Sequence, residues 1–205
     1  GNSETGAGAV SNRIVLASNN GKKIRELSAI LAASGIHILP QSDFGIAEVA
    51  ETGTTFIENA LIKARHAAAA SGLPAIADDS GLCVPALGGA PGIYSARYSG
   101  EGDAGNNRKL LAALADVADR RAYYACLIVY LRHADDPLPL IAEGLWHGHI
   151  TDAPRGDGGF GYDPLFIPDG HTQTAAELTT EEKNRISHRA KALTTFATVY
   201  AAVSA

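Results

Sequence analysis

The chain has 205 residues, 46% of them hydrophobic, and a formal net charge of −5. That length supports a core that holds itself together without disulfides, and the acidic balance argues against generic binding to duplex nucleic acid, which leaves a basic footprint. The two cysteines, Cys83 and Cys126, form no C-x-x-C pair, so two buried thiols in a reducing compartment are expected rather than a zinc site or a disulfide framework.

No apolar run approaches the roughly 18 residues of a membrane span. No basic-then-apolar leader opens the sequence, and the expected setting is the cytoplasm. Residues 1–12 hold little beyond Gly, Ser, Asn and Ala and are expected to be a disordered tail. Residues 13–205 are expected to form a single domain.

Arg13–Ala17 reads as a buried strand, and Ser18-Asn19-Asn20-Gly21 as a turn rich in N-cap residues. Lys22–Ser34 carries Ile24, Leu27, Ile30 and Leu31 at helical spacing, with Gly35 as the stop. Lys22, Lys23 and Arg25 crowd the start of that helix, where the backbone dipole is already positive. A purely structural helix favours acids there. A helix start that binds an anion tolerates bases, because phosphate oxygens accept from free N–H groups and from lysine together. Ile36–Leu39 is a second short strand, and 44–53 an acid-rich loop. Thr54–Ser71 is a helix opened by the capping box Thr55-x-x-Glu58 and stopped by Gly72. Ala60, Ala64 and Ala67 share a face with Phe56, which predicts close packing against a sheet.

Pro74–Ala77 is a strand that stops at Asp78-Asp79-Ser80-Gly81. Adjacent aspartates repel, and strands disfavour them. A divalent cation at the strand end would offset that cost, since hard cations take oxygen ligands. Leu82-Cys83-Val84 resumes an apolar run, and Gly88–Gly100 is a long glycine-rich loop holding Tyr94, Arg97 and Tyr98. Asn106–Val117 is an amphipathic helix. Ala122–Leu131 and Leu138–Trp146 form a long hairpin turning at Asp135-Asp136-Pro137, and its length predicts an arm or a second lobe. His147 and His149 continue the hairpin as a polar face. A glycine-rich loop leads into Phe160-Gly161-Tyr162-Asp163-Pro164, followed by the strand Leu165–Ile167. Thr179-x-x-Glu182 opens a helical tail to Val203, with Lys183, Arg185, His188, Arg189 and Lys191 near its start.

Several motifs fail on context. There is no phosphate-binding G-x-x-x-x-G-K-[ST] and no G-x-S-x-G nucleophile elbow. G-x-G-x-x-G occurs at 100–105 and 156–161. The first follows no clean buried strand; the second runs into Tyr-Asp-Pro, which cannot open a helix smoothly.

Five patches remain: Ser18–Lys23, Glu51, Asp78–Gly81, Phe160–Asp163, and Lys183 with Ser187-His188-Arg189. The first and last supply N–H groups and cations for phosphates, and the acids can hold Mg²⁺. Phe160 and Tyr162 supply faces on which a base can stack. Asp163, His188 and Arg189 can read a base edge. Spacing alone points to Mg²⁺-dependent phosphoryl or nucleotidyl chemistry. Two other readings stay open: an aspartyl-phosphate phosphatase with Asp78 or Asp79 as nucleophile, and a nucleotide sensor without turnover.

In order, Ser18-Asn19-Asn20-Gly21-Lys22-Lys23, Glu51-Thr52-Gly53-x-x-Phe56-x-Glu58-Asn59-Ala60, Ala77-Asp78-Asp79-Ser80-Gly81-Leu82, Gly88-Gly89-x-Pro91-Gly92-x-x-Ser95-Ala96-Arg97, Gly159–Pro164 and Ser187-His188-Arg189 resemble the inosine triphosphatase (Ham1/RdgB-like) family of noncanonical purine nucleoside triphosphate pyrophosphatases, its bacterial members above all. The likeness runs from about Arg13 to Leu193. It implies hydrolysis of dITP, ITP and XTP to the monophosphate and pyrophosphate, an elongated two-lobed α/β fold around a long mixed β-sheet flanked by helices, and a homodimer. It implies Asp79 as the active-site carboxylate and Glu51 with Asp79 as Mg²⁺ ligands. Ser18, Asn19, Asn20, Gly21, Lys22, Lys23 and Lys63 would face the triphosphate. Ser80, Phe160, Gly161, Tyr162, Asp163, Lys183, His188 and Arg189 would bind the rest of the nucleotide. Relatives often carry two acids before Thr-Gly; here Ala50 precedes Glu51. Asp78 is left as a supporting acid.

Overall fold

The computed structural model describes residues 12–204; most of the expected N-terminal tail lies outside them. Six strands form one mixed sheet in the order β2-β1-β3-β4-β5-β6. They are β1 (Arg13–Leu16), β2 (His37–Pro40), β3 (Ala75–Cys83), β4 (Arg121–Leu131), β5 (Leu140–Ile150) and β6 (Phe166–Pro168). β1 runs parallel to both β2 and β3, and the pairings from β3 to β6 are antiparallel. The α/β class and mixed sheet are as expected. Among the described residues no helix is long and apolar enough to cross a membrane.

Helices α1 (Gly21–Ala32) and α2 (Phe56–Ser71) cover opposite faces of the sheet. Alternation along the strands decides which residue meets which helix. Ile14, Leu16 and Ile76 pack with Leu27 and Leu31 of α1 and with Leu193 and Phe196 of the C-terminal helix. Val15, Ala17, Ala75 and Ala77 pack against Ala60, Ala64, Ala67 and Ala68 of α2, so the alanine face lies on the sheet as predicted. Because β1 feeds α1 toward β2 on one side while β3 lies on its other side, a crevice opens beyond the C-terminal end of β1. Such switch points are where open α/β sheets place ligands.

Four local expectations are corrected. β3 does not end at Ala77 but continues to Cys83, paired residue by residue with β4. Cations from other elements compensate Asp78, and the pairing with β4 carries the strand through both aspartates. Helix α3 spans Gly102–Ala113, four residues earlier than predicted. The poor helix former Gly105 fits there because a side chain would strike Glu101 Cβ at 2.6 Å, and Asn106 ties the helix back to Ser99 and Ala96. The Gly88–Gly100 loop contains an ordered 3-10 turn, Gly92–Arg97. The helical tail is two helices, α4 (Thr180–Ile186) and α5 (His188–Ser204). Ser187 is extended between them; its N–H donates to Lys183 O at 2.9 Å, and its Oγ accepts from Ala190 N–H at 3.2 Å.

α5 crosses β5 at Gly144. A Cβ there would lie 2.0 Å from His188 O and 2.6 Å from Ala192 N. Both are backbone atoms that cannot rotate away. Gly144→Ala is expected to cost about 3 kcal/mol by overpacking and to lower Tm by roughly 6–12 °C for a chain of this size, readable in a thermal melt.

Candidate active site

β1 ends at Leu16, and β3 pairs with it only at Ala75 and Ile76. Beyond Ile76 the β1-side edge of β3 is open, and other elements fill it. Lys63 of α2 donates to the carbonyl of Asp78 at 2.6 Å. The Ser95 hydroxyl of the 3-10 turn accepts from Leu82 N–H at 2.9 Å. By strand alternation the N–H and C=O of Ser80, between those two, face the same edge. The turn approaches so closely that a Cβ on Gly81 would lie 2.4 Å from Gly92 O.

The adjacent aspartates are not a symmetric pair, because neighbours on a strand point to opposite faces. Asp78 points to the α1 and α5 face. Lys23 of α1 lies 3.0 Å from one of its oxygens, and Arg189 of α5 3.9 Å from the other. Burial pushes its carboxyl up, but Lys23, Arg189 and Lys63 overcome that and hold it down at about 2. Asp79 points to the α2 face. Lys63 lies 3.5 Å from it and 2.9 Å from Glu51. Burial, with Glu51 and Asp78 nearby, outweighs Lys63 and raises Asp79 to about 6. Its Oδ2 is buried with no hydrogen-bond partner among the described residues.

A cleft of about 590 Å³ runs from Glu51, Lys63 and Asp79 past Ser80 to Phe160, Lys183, His188 and Arg189. A second chamber of about 380 Å³ adjoins it and holds Ser18, with Asn20, Lys23, Glu51, Lys63 and Arg97 bordering both. Lys22 lines the cleft; Asn19 and Gly21 line neither space. At the start of α1, Ser18 Oγ accepts from Asn20 N–H at 3.1 Å. Asn20 Oδ1 caps the N–H groups of Lys22 and Lys23 at 3.1 and 3.2 Å. Those donors are internally satisfied, so the ammonium groups, rather than the helix N–H groups, carry this wall's attraction for anions.

The far wall also departs from expectation. Phe160 is 43% exposed, with Lys22, Lys183 and Arg189 over its ring at 5.1, 4.5 and 5.8 Å. Tyr162 lines the cleft, but its ring belongs to a core cluster and its hydroxyl donates to Ser95 O at 2.7 Å. The aromatic ring exposed at the cleft is therefore that of Phe160, with Lys22, Lys183 and Arg189 lying over it. Both oxygens of Asp163 are engaged: it accepts from Tyr124 Oη at 3.0 Å, Phe160 N–H at 3.1 Å and Lys183 Nζ at 2.5 Å. It braces the loop and has no oxygen free for a base edge. His188 stacks on Tyr124 with 4.6 Å between ring centroids. Burial, then Arg189 and Lys183, push its pKa well below the ordinary range, so its ring is neutral. Arg189 is held by Glu26 at 2.8 Å.

Sequence reasoning did not place Glu26, Asp103 or Asn107 in this site. Asp103 accepts from Gly161 N–H at 2.9 Å, and Asn107 donates to Gly161 O at 3.2 Å, which clamps the loop bearing Phe160. No local signal marks such contacts across more than fifty residues. Arg97 stood inside a quoted motif without a role.

The donor set suits a hard cation. Two carboxylates from separate elements converge on one ammonium, and one carboxylate oxygen is buried and unpartnered. Among the described residues no group of three His, Cys, Asp or Glu could hold a metal by itself. Mg²⁺ is commonly held by one or two carboxylates with substrate phosphates completing its shell.

These features define an α/β protein with a cleft at a sheet switch point, between a cationic wall and paired carboxylates, a lining suited to an anionic ligand. A model of the Ham1 family matches residues 14–199. A dITP/XTP pyrophosphatase of Ralstonia nicotianae is 59% identical over 186 residues, 88% of this chain and 92% of that relative. One of Aromatoleum aromaticum is 61% identical over 183 residues, again 88% and 92%. The solved structure of a HAM1 protein from Coxiella burnetii superposes with a TM-score of 0.89 at 49% identity, covering 93% of this chain and 98% of that one. The chain belongs to the Ham1 family.

Proposed function

We propose that this chain hydrolyses noncanonical purine nucleoside triphosphates (dITP, XTP and ITP) between the α and β phosphates, releasing the nucleoside monophosphate and pyrophosphate. The observation that carries the reading is the position of Asp79, beside Lys63 and Glu51 at one end of a cleft whose other end holds an exposed aromatic ring beside a neutral histidine and an arginine. The names borne by relatives about 60% identical to this chain support the same substrate class.

Glu51 and Asp79 would hold Mg²⁺, which when bound offsets charge on the phosphate oxygens. Lys23 and Lys63, with Ser18 and Asn20 of the turn, face the triphosphate, while Lys22 lies over the Phe160 ring. Asp79 takes the proton of the attacking water; a carboxyl near 6 accepts it more readily than an ordinary one. Phe160 stacks the base, and Ser80, His188 and Lys183 bind the nucleoside side. Gly161, Tyr162 and Asp163 keep the Phe160 loop in place. Arg189 offers donors only, which suits a 6-oxo purine and leaves groups unpaired against a 6-amino one. One two-lobed domain over residues 13–205, a homodimer and a cytoplasmic setting complete the reading. The exposed Leu138 and Ile141 of the hairpin and two free, buried cysteines support the last two.

Products settle the reaction. With dITP or XTP and Mg²⁺, the purified chain is expected to yield equal amounts of monophosphate and pyrophosphate, with far slower turnover of ATP. Orthophosphate as the only inorganic product would sink this reading in favour of an aspartyl-phosphate route.

A further inference from the structure

The smaller chamber contains a cation that neither the fold nor the roles above account for. Three basic groups border it, and two are committed. Lys23 pairs with Asp78 at 3.0 Å, and Lys63 with Glu51 at 2.9 Å and with the Asp78 carbonyl at 2.6 Å. Among the described residues Arg97 has a single carboxylate contact, to Glu51 Oε2 at 3.9 Å. That is well beyond the roughly 2.7–2.9 Å of a charge-assisted hydrogen bond. Its side chain is 52% exposed and borders both the cleft and the chamber.

The placement of Arg97 is built in. It ends the 3-10 turn Gly92–Arg97. Ser95 anchors that turn to β3, and Asn106 of α3 donates to the carbonyls of Ser95 and Ala96 at 3.3 and 3.1 Å. The Tyr94 ring supports the guanidinium at 5.1 Å. A rigid base thus holds an under-paired guanidinium at the mouth of a chamber that also presents the Ser18 hydroxyl and the Lys23 ammonium. A guanidinium offers a planar fork of donors matched to two phosphate oxygens.

We propose that Arg97 binds the leaving pyrophosphate in the smaller chamber and so is a catalytic residue of the reaction. This rests on the anhydride-hydrolysis reading above. Negative charge grows on the departing group as the α–β bond breaks, and a donor that meets it there lowers the barrier more than it strengthens ground-state binding. Arg97 then acts on kcat more than on KM.

The test measures binding of inorganic pyrophosphate and, separately, of inosine monophosphate to the full chain and to Arg97→Gln and Arg97→Lys, by calorimetry, with melting curves to confirm folding. Pyrophosphate affinity is expected to fall at least ~10-fold in Arg97→Gln, the loss of a charged hydrogen-bond pair, while monophosphate affinity is unchanged. Arg97→Lys should restore part of it, since lysine keeps the charge but not the fork. Turnover of dITP should show the loss in kcat rather than KM. Unchanged pyrophosphate affinity, or equal losses for both ligands, overturns the proposal. Failure of the functional reading is separate: it would appear as orthophosphate released by the unaltered chain, whatever the variants bind.

Discussion

Asp79→Asn is expected to reduce hydrolysis by about 10³-fold, the scale of a lost general base, while nucleotide binding is kept. The amide has the same shape, and Lys63 retains Glu51 at 2.9 Å, so the cationic wall stays in place. The stability result is equally specific. Asp79 is an acid whose folded pKa is raised, to about 6 against an ordinary value of 3.8. The folded state therefore holds more protons than the unfolded state between those values, and the ionised side chain weakens the fold as pH rises through that window. Replacing it with a neutral amide removes that penalty. The variant should melt at or above the temperature of the unaltered chain at pH 7, and this advantage should vanish near pH 4. Melts at the two pH values, with turnover of dITP, check both halves. Full activity in Asp79→Asn would remove this residue from the chemistry.

Asp78→Ala is expected to do the opposite. Asp78 is buried between Lys23 at 3.0 Å and Arg189 at 3.9 Å. Removing one member of a buried charge cluster leaves the others uncompensated, at a cost of about 3–5 kcal/mol and a Tm lower by roughly 6–20 °C. The sign with pH also reverses. The folded pKa of Asp78 is depressed, to about 2 from 3.8. Its contribution is fully present above the ordinary value and is lost as pH falls through about 2. The gap between variant and unaltered chain should be widest at neutral pH and shrink below about pH 4. Arg189 would also lose an anchor, so weaker nucleotide binding should accompany the lower Tm. Two neighbouring aspartates, one for chemistry and one for structure, thus separate in a single pair of melts and assays.

Strand alternation explains that division, and it also explains how much of the site was legible beforehand. Local rules found the elements. Thr55 and Gly72 bound α2 as its cap and stop, and helical spacing placed Leu27 and Leu31 in the core. Hydrophobic alternation found the β4–β5 hairpin. The patches that line the cleft were visible as chemistry out of place: lysines at a helix start and acids in a strand. Where prediction failed, a distant group had overridden a local preference. Asp78 stays within β3 because Lys23 and Arg189, from two helices, and Lys63 compensate its charge, and the β4 pairing holds Asp79 there although Lys63 does not offset its burial. The second aromatic of Phe160-Gly161-Tyr162 is taken by the core, and Asp163 is spent on Lys183, Tyr124 and the Phe160 backbone.

By itself the sequence determined the order of the elements and the residue types that border the cleft, because caps, periodicity and turn chemistry act within a few residues; the α/β class came from the likeness of its motifs to a known family. Only the tertiary structure decided the role of each side chain. Which aspartate faces α2, which aromatic is exposed at the cleft and which arginine stands 3.9 Å from its carboxylate all depend on groups that the sheet brings together from across the chain. Desolvation and charge pairing at such a junction are properties of the assembled fold.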